Sequence, residues 1–325
     1  MSEMDPEIRK RIEALEKKFE AAGQDLSSYL DGLLHADYIK YWDYINLDTL
    51  LTLQQPKTGF PDEQVFIIYH QITELYFKLV LHEIRQISDA ESWSAELLLE
   101  HVRRLNRYIR ALVHSFDIMV DGMDKEQFMK FRMTLLPASG FQSAQYRLIE
   151  LACTDLSRLV KDLDEEEVEA ARKKGTSEEL LEKLYWKEGA TELATGEKTL
   201  TLKEFENKYH DRFREFEAAF REKNLRQVFG KLSEEERRDE RVKRVLRELD
   251  LLFNIEWGLA HYKSAVRYLQ QDPADIAATG GTNWQEYLPP RFQGIVFYPE
   301  LWSDKEKEEW GKDWVRREVF GQDHG

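Results

Sequence analysis

Apolar residues recur every third or fourth position through almost the whole chain, and no stretch of useful length alternates apolar and polar residue by residue. That period belongs to helices with one buried face and leaves no material for a sheet. Ile68, Ile72, Leu75 and Leu79 predict a helix that starts after Pro61, with Asp62 and Glu63 in its first turn, where acidic side chains suit the helix dipole. Leu98, Val102, Leu105, Ile109 and Leu112 predict a second helix between Ser92 and Met119, with that stripe inward. A shorter helix is expected from Lys125 to Leu135, stopped by Pro137, and another from Gly140 through Leu159. A long one runs from Ser233 to Leu269 with a break or bend, carrying Leu246, Leu249, Phe253, Trp257 and His261. Thr176 with Glu179, Thr201 with Glu204 and Ser233 with Glu236 have capping-box spacing, and Asp48 suits the start of a short helix.

The expected fold is therefore all-α, a single domain over residues 1–325 built from long antiparallel helices. A chain of 325 residues can bury one large core. Residues 1–37 form a charge-rich helical arm expected to pack on a neighbouring subunit, and 161–200 a variable, peripheral helical insertion.

Several function classes drop out. A net charge of -15 repels phosphates, which argues against nucleic acid and anionic membrane surfaces as partners. The single cysteine, Cys153, permits no disulfide within the chain. The apolar run from Val65 to Ile84 is interrupted by His70, Glu74, Lys78, His82 and Glu83, so it is a core helix and not a membrane span. The opening residues lack the apolar run of a signal peptide, and the cytoplasm is the expected compartment. The ATGGTN loop lacks the lysine and spacing of a phosphate loop; there is no HExxH, and Ser143 lacks the glycines of a nucleophile elbow.

Three residues stand in unusual surroundings. His70 lies in a strongly apolar helix, one turn after Phe66, and His261 follows Trp257 by one turn on the late helix. Arg132 shares a stripe with Phe128 and Leu135, an odd place for a guanidinium unless it meets a carboxylate of the protein or of a ligand. Each has a plain alternative: a hydrogen-bonded packing histidine, or a structural ion pair.

The strings YWDYINLDTLLTLQ, PDEQVFIIYHQITELYFKLVLHEI and FRMTLLPASGFQSAQYRLIE resemble the signature segments of the tryptophan 2,3-dioxygenase family, and WGLAHYK, ATGGTN and FYPELW follow in order. The resemblance implies a helical domain enclosing a pocket for haem b, one per subunit. It assigns the axial iron ligand to His261, with Trp257 and Ser139 beside the cofactor, and the distal position near the substrate's indole N–H to His70. Phe66 and Phe131 would flank the ring, Arg132 would grip the carboxylate, and Thr279 would close over the amino acid. Tyr41 and Tyr44 would reach the site from a neighbouring subunit of a homotetramer, a dimer of dimers. The implied reaction cleaves the indole C2–C3 bond of L-tryptophan with O2 as co-substrate, giving N-formyl-L-kynurenine.

Three features depart from the family pattern, the first being the ATGGTN loop, which lacks the second serine–glycine pair that more often follows the double glycine. Phe128 stands where some members have tyrosine, and His261 and Thr279 lie 18 residues apart, a few more than is usual. The alternatives are a haem-dependent monooxygenase or hydroxylase of a substituted tryptophan, indole or tyrosine, and a helical scaffold without turnover.

Overall fold

The computed structural model describes residues 4–36, 40–135, 140–160, 163, 166–167, 170, 177–191, 197–269 and 290–312. Its elements are helical; among the described residues the only β pairing is two isolated bridges, Val160 with Leu184 and Thr191 with Lys198. The all-α expectation holds. The chain divides into two compact units, 1–55 and 56–325.

In the first unit α1 (Pro6–Ala21) begins with Pro6 and a cap from Asp5, and α2 (Leu26–Leu34) is capped by Asp25, whose carboxylate accepts from the amides of Ser27 and Ser28. Two single turns follow, α3 (Tyr41–Tyr44) and α4 (Leu47–Leu50). Asn46, at a φ of 51°, leads into α4, a conformation that asparagine tolerates better than most residues. Asp48 lies inside that turn and does not cap it.

The second unit is built around α5 (Pro61–Ser88), which packs along α6 (Ala95–Ser115). Glu63 is buried and folds the preceding loop back on the helix by accepting from the amides of Lys57 and Thr58, at 2.8 and 2.7 Å. The inward stripe expected of α6 is buried as read, from Leu98 through Leu112. The α5 stripe is different. Ile68, Ile72, Leu75 and Leu79 are exposed, whereas Tyr69, Thr73, Phe77, Val80, Ile84 and Ile87 face the core.

After α6 come α7 (Asp117–Val120) and α8 (Lys125–Phe131); the latter tightens into a 3-10 turn over Arg132–Leu135. The Asp124 amide donates to Asp62 at 2.6 Å, which docks the start of α8 on the start of α5. Helix α9 (Ala144–Cys153) is capped by Ser143.

The described part of the 161–200 stretch contributes to the main core and does not lie outside it. Leu181, Leu184, Tyr185 and Trp186, on and between α10 (Ser177–Glu182) and α11 (Tyr185–Glu188), are all buried there. Next is α12 (Leu200–Phe220), whose cap is Thr199 and not Thr201; Thr201 is buried within the first turn. Thr176 lies outside the described residues.

The late helix breaks as expected. After α13 (Leu225–Lys231) comes α14 (Glu234–Arg238), which has the Ser233–Glu236 capping box. It stops at Asp239, which caps α15 (Glu240–Leu251). A π-turn over Leu252–Glu256 then joins α15 to α16 (Trp257–Leu269). The short α17 (Pro290–Gln293) and α18 (Asp304–Glu308) close the described chain. No described helix is long and apolar enough to cross a membrane.

Candidate functional site

Where α5, α7, α8 and α16 meet, Tyr69, Phe116, Met119, Met123, Phe128, Phe131 and Tyr268 form an apolar cluster separate from the main core. The N-terminal half of α5 brings Phe66 and His70 to it, because residues four apart share a helix face. The rings of Phe66 and His70 lie 4.0 Å apart, and Phe66 meets Phe131 edge-on at 5.8 Å.

The His70 ring is fixed by its own helix: Nδ1 lies 2.7 Å from the Phe66 carbonyl oxygen. A carbonyl only accepts, so Nδ1 carries the proton and Nε2 keeps its lone pair. His70 is exposed, with its ring against Phe66 and edge-on to Tyr69 at 5.9 Å. Desolvation pulls its pKa below the ordinary imidazole value against the opposing pull of the Phe66 carbonyl and Glu74.

His261 enters from α16, beside Trp257. Phe116 packs between them, 4.7 Å from the Trp257 ring and 5.8 Å from His261, and Phe77 meets Trp257 on another side at 5.6 Å. Desolvation, aided by positive charge on His70 and Arg147, lowers the His261 pKa to about 4. The two histidines, 191 positions apart, are linked ring to ring, His70 to Tyr69 at 5.9 Å, Tyr69 to Phe116 at 5.7 Å and Phe116 to His261 at 5.8 Å, and charge on one disfavours charge on the other. At neutral pH both rings are neutral and each can offer a nitrogen lone pair.

Arg132 begins the 3-10 turn after α8 and is only 4% exposed. Burial alone lowers its pKa, and one guanidinium nitrogen lies 4.0 Å from the Met129 sulfur. A buried guanidinium that follows Phe131 in the chain, one turn after Phe128, is of the chemical type that binds carboxylates where water competes little.

Of the other residues singled out in the sequence, Tyr41 and Tyr44 sit on α3 of the first unit, 71% and 76% exposed. Ser139 and Thr279 lie outside the described residues. The sequence reading missed Phe116 and Tyr69, which complete the aromatic wall, and the buried network of Arg147, Glu150 and Tyr185. Arg147 donates to both Glu150 oxygens, at 3.0 and 2.9 Å, and its guanidinium lies between the Tyr146 and Trp186 rings, 4.9 Å from each. Two opposite charges three residues apart in an apolar helix could have signalled that pair.

Comparison with known proteins fits this arrangement. Over 118 residues the chain is 40% identical to a tryptophan 2,3-dioxygenase of Polaromonas naphthalenivorans (strain CJ2), covering 35% of this chain and 40% of that protein. It is 41% identical over 117 residues to one of Ruegeria sp. (strain TM1040), covering 35% and 41%, and 34% identical over 123 residues to one of Bacillus thuringiensis (strain Al Hakam), covering 37% and 44%. The matched stretch thus spans about two fifths of each relative's length. The family model for tryptophan 2,3-dioxygenase covers residues 32–264, which takes in His70, Arg132 and His261, and the chain belongs to that family.

Proposed function

We propose that this protein is a haem-dependent dioxygenase that cleaves the indole C2–C3 bond of L-tryptophan with O2, giving N-formyl-L-kynurenine. The observation that carries the reading is the run of rings from His70 through Tyr69 and Phe116 to His261, with centroids 5.9, 5.7 and 5.8 Å apart, in an apolar cluster whose Phe131 is followed by the buried Arg132.

The residues fit haem b. Among the described residues no group of three or more metal-ligating side chains occurs, so a metal held at His261 would have to bring most of its own ligands. A porphyrin does that, and it needs one axial nitrogen and apolar walls. His261 would supply the nitrogen, with Trp257 beside the cofactor and Ser139 as a further neighbour. When bound, the haem supplies the activation of O2 that an indole ring cannot achieve alone.

The chain's own part is binding and exclusion of water. Nε2 of His70, with Nδ1 held by Phe66, accepts the indole N–H and positions the ring. Phe66 and Phe131 flank the indole and keep water from its reacting edge. Arg132 grips the substrate carboxylate, and Thr279, outside the described residues, is the second partner that the family resemblance implies for the ammonium and carboxylate. Each charge-assisted contact contributes on the order of 1.5–3 kcal/mol, enough to select the amino acid over free indole.

The assembly we infer is a cytoplasmic homotetramer, a dimer of dimers, with Tyr41 and Tyr44 completing a neighbouring subunit's site. Exposure of both tyrosines, and of Ile68, Ile72, Leu75 and Leu79, supports contacts of this kind. Reduced, haem-loaded protein incubated with tryptophan and 18O2 should yield a product carrying two labelled atoms. One labelled atom would assign a monooxygenase, and no Soret band after haem addition would reject the reading.

A further inference from the structure

The helix that carries His261 is not continuous α-helix. Its π-turn is explicit in one bond: the Trp257 amide donates to the Leu252 carbonyl, five residues back. In an unbroken α-helix Asp250, Asn254, Trp257 and His261, at i, i+4, i+7 and i+11, would share one stripe. An extra residue in one turn rotates everything beyond it by roughly 100°. Asp250 and His261 accordingly serve different surroundings. Asp250 points into the packing of the C-terminal segment, and His261 into the aromatic cluster near Phe116.

The π-turn has its own fastening. Asp250 is 0% exposed and its carboxylate accepts four hydrogen bonds. Three come from the segment beyond α17: the Phe297 amide at 2.8 Å, the Tyr298 amide at 3.2 Å and the Trp302 indole at 2.9 Å. The fourth comes from the side-chain amide of Asn254, inside the π-turn, at 2.7 Å. Thr154 on the strand-like exit of α9 holds the Phe297 carbonyl at 2.8 Å, and the Phe253 ring packs on Phe297 at 5.5 Å. The anchor of the π-turn is therefore itself tied to α9.

We infer that Asp250 and Asn254 are positioning residues for His261: their clasp spans the junction of α15 with the π-turn and fixes the rotation at which α16 presents the imidazole. A shift of that rotation moves the ring as a lever would, while the rest of the core keeps its contacts. The consequence for iron rests on the haem reading above; the clasp itself does not.

The test compares Asn254→Ala and Asp250→Leu, which both remove the Asn254–Asp250 bond, with Trp302→Phe, which removes one bond to Asp250 and leaves the clasp. In haem-free protein, amide hydrogen exchange over 252–262 should quicken in the first two variants and stay as in the parent in Trp302→Phe. In reduced, haem-loaded protein the iron–histidine stretching band in the resonance Raman spectrum should shift or split in the same two. Their kcat should fall roughly ten-fold or more, the usual scale for groups that orient a metal ligand, with KM for tryptophan little changed. If Asp250→Leu does not fold, Asn254→Ala carries the comparison, since it removes a single bond. Unchanged exchange and an unchanged band, with only a lowered Tm, would overturn the clasp. A parent protein without a Soret band would overturn the haem reading instead, and the exchange data would still decide the clasp.

Discussion

The Nδ1 proton of His70 is committed to the Phe66 carbonyl at 2.7 Å, one helical turn back, so only Nε2 can meet a ligand. As an acceptor that is neutral at pH 7, it binds an N–H without needing to remove its proton. His70→Ala should weaken tryptophan binding about five-fold, the equivalent of roughly 1 kcal/mol for one hydrogen bond. The parent protein should prefer tryptophan to 1-methyltryptophan, and the variant should lose most of that preference. Titrating both ligands into haem-loaded protein by absorbance measures it.

Arg132→Leu should weaken tryptophan binding roughly ten- to one-hundred-fold, corresponding to about 1.5–3 kcal/mol for a charge-assisted contact, and leave haem uptake as in the parent. Arg132→Lys keeps the charge and loses the planar fork, so its affinity should fall in between. Equal losses of haem and tryptophan would make Arg132 a structural residue.

The acid range separates two buried groups with opposite effects. The folded pKa of His261, about 4, is below its ordinary 6.5, so its contribution to stability is present above pH 6.5 and is lost as pH falls towards 4. Burial raises Asp250 from 3.8 to about 6, so its contribution is present at low pH and is lost as pH rises through 6. Each effect is worth about 3 kcal/mol. In the haem-free parent they should largely cancel between pH 4 and 6, whereas His70, whose pKa is also lowered, favours higher pH. Asp250→Asn should leave a protein that loses stability on acidification, and His261→Ala one that gains it. Urea unfolding at several pH values checks the signs.

Arg147 and Glu150 are both buried, and Tyr185 donates to the same carboxylate at 2.5 Å. Arg147→Met alone strands that carboxylate and should cost about 3–5 kcal/mol of stability. Adding Glu150→Leu should recover much of it, because the unpaired charge is then gone. A double-mutant cycle by denaturant unfolding gives both values.

Ile72→Glu with Leu79→Glu should lower the association state, because both side chains lie on the exposed stripe of α5. Sedimentation of the two proteins compares them directly.

How much of this was legible in the sequence varied with how local the cause is. The α6 stripe was readable because its opposite face is charged, with Arg103, Arg107 and Arg110 leaving one choice of inner face. On α5 the apolar residues run nearly all round, so period alone could not tell the Ile68–Leu79 stripe from the one through Phe77 and Ile84. Thr201 had a glutamate three positions on, but Thr199 provided the cap, since either threonine satisfies the local chemistry and packing buried Thr201. Nothing local reveals that His70 and His261 lie close; that came from the family resemblance. The role of Asp250 was hidden for a similar reason, because three of its partners lie 47 to 52 residues further along. An acid within the Leu246–Leu249–Phe253 stripe was the one available hint.

The π-turn also bears on how this chain should be aligned with its relatives. A single residue accommodated between Leu252 and Glu256 puts the halves on either side of it out of step by one position. Against any chain whose equivalent helix is unbroken, counting back from His261 would name a neighbour of Asp250 as its counterpart. For such a pair, correspondences upstream of the turn follow from superposed backbones and not from offset in the chain.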